Sequence, residues 1–246
     1  MPDALSLAAR IMADDVFRLN VVSQNLANAN TAGYKKELVT SQPFVDYLQA
    51  GSAGGMRHLP VNVPTFATVV DFRQGPLTQT GNALDVALEG KGFFEVAGPG
   101  GPLYTRQGSL RIDAQGRLAT ASGLALAGLN GEIPISGTQP RIDARGRVFE
   151  GDNLVAQLKI VRFGDSARLV PLGGGLYRAD GVTPGAVPLA NDAFQVRQGF
   201  IESSNVATLP EMLRMIELVR RFESAQRVVQ GYDGMLGAAI RALGEF

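Results

Sequence analysis

The sequence predicts an α+β fold: a central all-β domain of short strands and hairpins, with N- and C-terminal α-helices pairing as a coiled coil or bundle. Three observations predict it. Apolar residues recur at seven-residue spacing at both ends of the chain. In the middle the period shifts toward two, in runs punctuated by glycine, of which the 246 residues include 30. An eight-residue hairpin pattern also occurs there twice.

At the N-terminus, Leu5, Met12, Leu19 and Leu26 stand seven apart, with Ala9 and Val16 four residues after Leu5 and Met12. Such a seam packs against another helix. Asp3 is the expected N-cap, and the helix should stop in Asn28-Ala29-Asn30-Thr31-Ala32-Gly33, which is rich in helix-ending residues. Residues 1–33 therefore form an N-terminal helix region, and 34–70 an extended linker. Within that linker, Gln49 to Pro64 reads as a flexible connection and holds the single histidine, His58.

Residues 71–200 form the expected β domain. Leu84 to Val96, Leu103 to Leu118 and Val155 to Phe163 are short alternating or apolar runs. Arg111-Ile112-Asp113-Ala114-Gln115-Gly116-Arg117-Leu118 recurs as Arg141-Ile142-Asp143-Ala144-Arg145-Gly146-Arg147-Val148. In each copy the Asp opens a turn and the Gly supplies a positive φ. Two copies are too few for a solenoid, so the reading is one hairpin reused within one domain. Pro171 to Pro188, with three consecutive glycines, reads as a loop cluster.

Residues 201–246 carry the longest pattern. Met215, Phe222, Val229, Leu236 and Leu243 fall seven apart, and Leu218, Ala225, Tyr232 and Ala239 lie three residues after the first four of them. Both seam positions stay apolar over successive heptads, the signature of a long helix in a coiled-coil or bundle setting. Thr208, Pro210 and Glu211 supply the expected cap. Gly231, Gly234 and Gly237 each cost about 1 kcal/mol in an isolated helix, so partners are expected to hold it.

Composition excludes much chemistry. With no cysteine and one histidine, the chain cannot build a disulfide, a thiolate metal site or any site needing two histidines. Its 23 Lys+Arg balance 23 Asp+Glu, which argues against a broad electrostatic footprint for nucleic acid or anionic membrane. No run reaches the apolar length of a membrane span, and the N-terminus lacks the pattern of a cleaved secretory signal. Gly90-Lys91-Gly92 fails as a phosphate loop, because Asp85 and Gly92 stand where Gly and Ser or Thr are needed. Arg214, Arg220, Arg221 and Arg227 lie among Glu211, Glu217 and Glu223, a pattern that reads as a solvated or intersubunit salt-bridged face. No catalytic residue, cofactor or metal ligand is expected.

One non-catalytic stretch stands apart. Ser23-Gln24-Asn25-Leu26-Ala27-Asn28-Ala29-Asn30-Thr31-Ala32-Gly33-Tyr34-Lys35 holds more Asn and Thr than a helix C-cap needs. It closely resembles the signature of bacterial flagellar rod and hook proteins. Three more stretches resemble that family, in the family's order: Leu84 to Phe94 (LDVALEGKGFF), Tyr104 to Gly108 (YTRQG) and Gly199 to Val206 (GFIESSNV). The likeness spans nearly the whole chain. Its length and the ending Ile216-Glu217-Leu218-Val219-Arg220-Arg221-Phe222-Glu223 are most similar to the proximal-rod members, with the distal-rod members next.

The resemblance implies a structural axial subunit. It implies terminal helices packed in an inner tube, partners among other rod subunits, and export through the flagellar apparatus without a cleaved signal to the basal-body rod. The assembly contacts are then expected at Leu5, Met12, Leu19, Leu26, Asn25, Asn28, Asn30, Met215, Leu218, Phe222, Val229, Tyr232, Leu236 and Leu243. Two other classes stay open at this point. One is a β-rich polysaccharide-acting enzyme with helical appendages; the other is a soluble adaptor whose coiled coil recruits one partner.

Overall fold

The apolar heptads at each end do form helices. The structure, a computed structural model, describes residues 2–41, 66–137, 139–164, 169–179, 187–188 and 194–244. Helix α1 spans Pro2–Ala27 and helix α2 spans Thr208–Gly244. Pro2 suits the first helical turn, where a missing N–H costs nothing, so Asp3 lies inside α1 rather than capping it. In α2 the Glu211 N–H donates to the Ala207 carbonyl at 3.3 Å, which moves the cap position to Ala207, one residue before Thr208. Gly231, Gly234 and Gly237 sit within α2 without interrupting it.

The chain divides into two compact units. The first takes residues 1–27, 37–71 and 207–246. Beside the two helices it holds an antiparallel strand pair, Glu37–Ser41 with Phe66–Val70, in register from Glu37 opposite Val70 to Ser41 opposite Phe66. Both strands are rich in β-branched residues, which favour a pleated surface, and both lie in the stretch read as extended linker. The flexible connection expected at Gln49 to Pro64, with His58, lies outside the described residues.

The second unit takes residues 28–36 and 72–206 and contains the β body. A six-stranded antiparallel sheet runs in the spatial order Leu169–Gly173, Leu176–Ala179, Gly101–Thr105, Phe93–Gly98, Ile160–Arg162, Val187–Pro188. Separate pairs join Val86–Gly90 to Phe194–Gln198 and Leu77–Gln79 to Phe200–Glu202. Val86, Leu88, Phe94, Val96, Leu118 and Leu158 meet in the core. Val86–Gly90 and Phe93–Gly98 are buried over successive residues, which is why they read as apolar runs rather than clean alternation.

The twin hairpins fold alike. Asp113 Oδ1 accepts from the Gln115 and Arg117 N–H groups, and Oδ2 from Arg117 Nε at 2.9 Å. Asp143 repeats this with Arg145 and Arg147, Nε to Oδ2 being 2.7 Å. Gly116 and Gly146 both take φ 73°, so the second turn reproduces the first in backbone as well as side chain. The hydrogen bonds from Arg117 hold the Asp113 carboxyl below its ordinary range. Burial pushes Asp143 upward, but the bonds from Arg147 and Arg145 outweigh it and leave that carboxyl lowered too.

The loop expected over Pro171 to Pro188 is corrected at both ends, while residues 180–186 lie outside the described residues. Leu169–Gly173 and Leu176–Ala179 form a hairpin, and Val187–Pro188 is an edge strand of the same sheet. Gly173-Gly174-Gly175 all have positive φ, so the glycine run marks a tight turn and not a long loop. Pro188 is tolerated because an edge strand needs no N–H on its outer side.

Candidate functional site

In the first unit α1 and α2 pack side by side and antiparallel. Asp15 stands beside Arg221, and Arg18 to Asn25 of α1 share a cavity of about 320 Å³ with Glu211 to Arg221 of α2 and the strand Glu37–Ser41. Of the expected contact residues, Leu218 is buried, and Met12, Leu19, Leu26, Met215, Phe222, Val229 and Tyr232 are half-buried. Leu5 and Leu236 are exposed, and the Leu243 side chain lies outside the described residues. Leu236 is bare because the helices differ in length. At 26 and 37 residues they run about 39 Å and about 56 Å, so α2 outlasts its partner.

The face of α1 that is covered most deeply is not the one the large apolar residues mark. Ala8, Asp15 and Val22, seven apart, are buried, whereas Val16 is 43 % exposed. Small Ala8 permits close helix approach, and Val21 and Val22 line the cavity together with Leu38 and Val39. Asp15 is fully buried in this column. Arg221 Nη2 comes within 3.2 Å of its Oδ1, yet neither Asp15 oxygen has a hydrogen bond, so the contact is an ion pair alone. Burial pushes the Asp15 carboxyl above its ordinary range, against the pull of Arg221.

The three asparagines of the signature do different work. Asn25 is buried; its side-chain amide donates to the Glu37 carbonyl at 2.8 Å and accepts from the Glu37 N–H at 2.9 Å, so it imitates a neighbouring strand. Asn28 Oδ1 accepts from the Thr31 hydroxyl at 3.2 Å within the turn that follows α1. Asn30 is exposed.

In the second unit, the four stretches that carry the family resemblance converge on one buried charge cluster. Lys35, Arg106 and Glu202 have side chains 0 %, 4 % and 0 % exposed. Glu202 Oε1 accepts from Lys35 Nζ and, at 2.9 Å, from the Gly75 N–H. Its Oε2 lies 3.4 Å from Arg106 Nη1. Lys35 also donates to the Arg73 carbonyl, and Arg106 to the Leu88 and Gly90 carbonyls at 3.1 and 2.7 Å. The guanidinium stacks 5.3 Å from the Phe93 ring centre, and burial lowers its basicity although Glu202 opposes that.

Backbone bonds tighten the same knot. The Gly33 N–H donates to the Glu202 carbonyl at 2.7 Å, and the Lys36 N–H to Asn205 Oδ1, also at 2.7 Å. The segment that leaves α1 and the segment that leads into α2 are thus bonded to each other inside the β unit. Gly33 and Gly108 permit this closeness. A Cβ on Gly33 would stand 2.6 Å from the Arg106 carbonyl carbon, and one on Gly108 only 1.5 Å from the Val86 oxygen.

Lys35, Arg106 and Glu202 were absent from the contact residues expected from sequence. The signal available was a charged residue inside each of three stretches that hold a Gly and an aromatic residue. Their partnership spans 167 residues and leaves no local trace.

A β body whose buried charges pair with one another, and a helix pair with apolar residues left outside, together define a structural subunit that acts through packing. Family models identify which kind. Residues 87–150 match the flagellar hook protein FlgE/F/G D1 domain, 197–242 the flagellar basal body rod FlgEFG protein C-terminal region, and 12–35 the flagella basal body rod protein segment. The chain is 33 % identical over 240 residues, 92 % of each chain, to the flagellar basal-body rod protein FlgF of Caulobacter vibrioides. It is 30 % identical over 244 residues to FlgG of Bacillus subtilis, covering 89 % of this chain and 90 % of that one. A FlgG of Borreliella burgdorferi is 30 % identical over 263 residues, covering 97 % of this chain and 98 % of that one. The chain belongs to the flagellar basal-body rod protein family.

Proposed function

We propose that this subunit polymerises with other rod proteins into the shaft that carries motor torque, using its terminal helices for assembly and presenting the β body outward. The observation that carries the reading is the second apolar face of α2. Away from the buried Glu211 and Leu218, Leu209, Met212, Leu213, Ile216 and Val219 are 40–68 % exposed, and Leu213 and Ile216 line an open groove with Ile11 of α1. A soluble helix normally presents charged residues there, and a contiguous apolar strip of this kind marks a protein contact. In a helical assembly the contacts are heterologous, so two differently placed apolar faces on one helix are what the geometry requires.

The division into 1–33, 34–70, 71–200 and 201–246 then becomes functional: helix, connection, β body, helix. The seam residues named from sequence belong to the same contact set, and the flagellar export apparatus is the expected route to the periplasm-spanning rod. On this reading the chain works without catalysis.

Phe222→Asp tests it. The substitution places a carboxylate in the half-buried seam, at a cost of several kcal/mol once neighbours close over it. Residue 222 lies outside the β unit, so that unit should stay folded. In cells whose only copy carries the change, the subunit should be missing from purified basal bodies and swimming should be lost. Normal incorporation would contradict a role of the seam in assembly.

A further inference from the structure

We propose that residues 194–206 are a clasp that closes the β unit, so that a chain delivered N-terminus first stays unfolded through residue 193 and folds only when this last segment arrives. The inference goes beyond the assembly reading and does not depend on it. Its ground is where the partners of the opening strands lie. Leu77–Gln79 and Val86–Gly90, the first two strands of the unit, find their ladder partners in Phe200–Glu202 and Phe194–Gln198, the last two. Neither opening strand joins another sheet among the described residues.

Val86, Ala87 and Leu88 are at most 1 % exposed, and Phe194 and Val196 pack into the same core as Val86 and Leu88. Without the clasp, Val86–Gly90 would bring unpaired backbone N–H and C=O groups into a dry interior, which disfavours burying it at all. Gln198 adds a second tie. Its side-chain amide donates to the Ala83 and Pro140 carbonyls, both at 2.7 Å, and accepts from the Ile142 N–H at 3.0 Å. It thus joins the approach to the opening strand with the second twin hairpin, where the Val196 N–H also reaches the Ala144 carbonyl at 2.9 Å. The Gly199 N–H donates to the Asp85 carbonyl at 2.7 Å, and its own carbonyl accepts from the Thr80 and Gly81 N–H groups. Glu202 supplies the carboxylate between Lys35 and Arg106, and Asn205 bonds the Lys36 N–H and the Arg73 carbonyl.

Chain order gives the clasp its effect. Phe93–Gly98 with Gly101–Thr105, and each twin hairpin, pair neighbours in sequence and can form early. A lone hairpin is marginal in water. The bond from Gln198 to Ala83 spans 115 residues, and the entropy of closing such a loop is offset only when both ends are present. Until then the chain is open strand and transient hairpin. Only α2 follows the clasp, so the unit closes when little beyond the terminal helix is still to come. On the export route proposed above, such a chain stays threadable for most of its passage.

The test uses the full-length chain, as wild type and as Gln198→Ala, and reads native-state amide hydrogen exchange across a urea series. In wild type, amides of Val86–Gly90, Phe93–Gly98, Gly101–Thr105 and Phe194–Gln198 should converge on one opening equilibrium with one urea slope. A unit able to stand without its clasp would instead open there first. Gln198→Ala should speed exchange by about tenfold or more in all four strands, including Phe93–Gly98 and Gly101–Thr105, to which Gln198 makes no bond among the described residues. Opening of Phe194–Gln198 at a lower urea slope, with Phe93–Gly98 still protected, would overturn the proposal. Acceleration confined to residues 83–90 and 194–202 in the variant would overturn it as well. Loss of all protection in Gln198→Ala is the expected result in its extreme form, and the wild-type series still tests the proposal by itself.

Discussion

Replacing Glu202 by alanine should destabilise the β unit by about 3–5 kcal/mol, the usual cost of removing one partner from a buried ion cluster. Lys35 and Arg106 would be left with side chains 0 % and 4 % exposed and no carboxylate between them. The Gly75 N–H would lose its acceptor as well. In thermal unfolding followed by the β signal in circular dichroism, the midpoint should drop by roughly ten degrees or more. Lys35→Met combined with Glu202→Gln should recover part of the loss, since it removes one of the two stranded cations. A shift of less than about 1 kcal/mol in Glu202→Ala, the range of an exposed ion pair, would mean that the cluster is solvated and not a fastening.

Gly108→Ala should be comparably severe for a different reason. The new Cβ would lie 1.5 Å from the Val86 oxygen, and backbone rather than a flexible side chain is what it meets. Val86 cannot retreat: its N–H donates to the Gly108 carbonyl at 2.8 Å, and its strand is paired residue by residue with Phe194–Gln198. Separating these backbones opens the core at Val86 and Leu88, so the cost should reach about 3 kcal/mol or more, the upper end of overpacking. Gly100→Ala is the matched control, because a Cβ there meets nothing within 4 Å, and it should fall within about 0.5 kcal/mol of wild type. Urea midpoints compare the two. Equal midpoints would show that the strand crossing is looser than the structure has it.

What the sequence made legible was what is local and periodic. The α2 seam at Met215, Leu218, Phe222, Val229 and Tyr232 is the less exposed side of that helix, because a heptad repeat fixes which residues share a face. The twin Asp–Gly turns were legible because each is closed by bonds within five residues. In α1 the same reasoning chose large apolar residues and passed over Ala8 and Asp15, one too small and one too polar to register as contacts. The hairpin of Leu169–Gly173 and Leu176–Ala179 was hidden because strands of four or five residues carry little periodicity beside three glycines. Least legible was the Lys35–Arg106–Glu202 cluster, whose members lie within the family signatures yet meet only through the tertiary fold.

The central claim is that the outer face of α2 is covered in the assembled rod. The chain contains no cysteine, so Ile216→Cys introduces a single thiol on that face, at a position 51 % exposed in the subunit. Maleimide labelling of this variant should be rapid in the purified monomer and reduced by about tenfold or more in purified basal bodies, because a packed interface excludes the reagent. Labelling at the same rate in monomer and basal body would contradict the account.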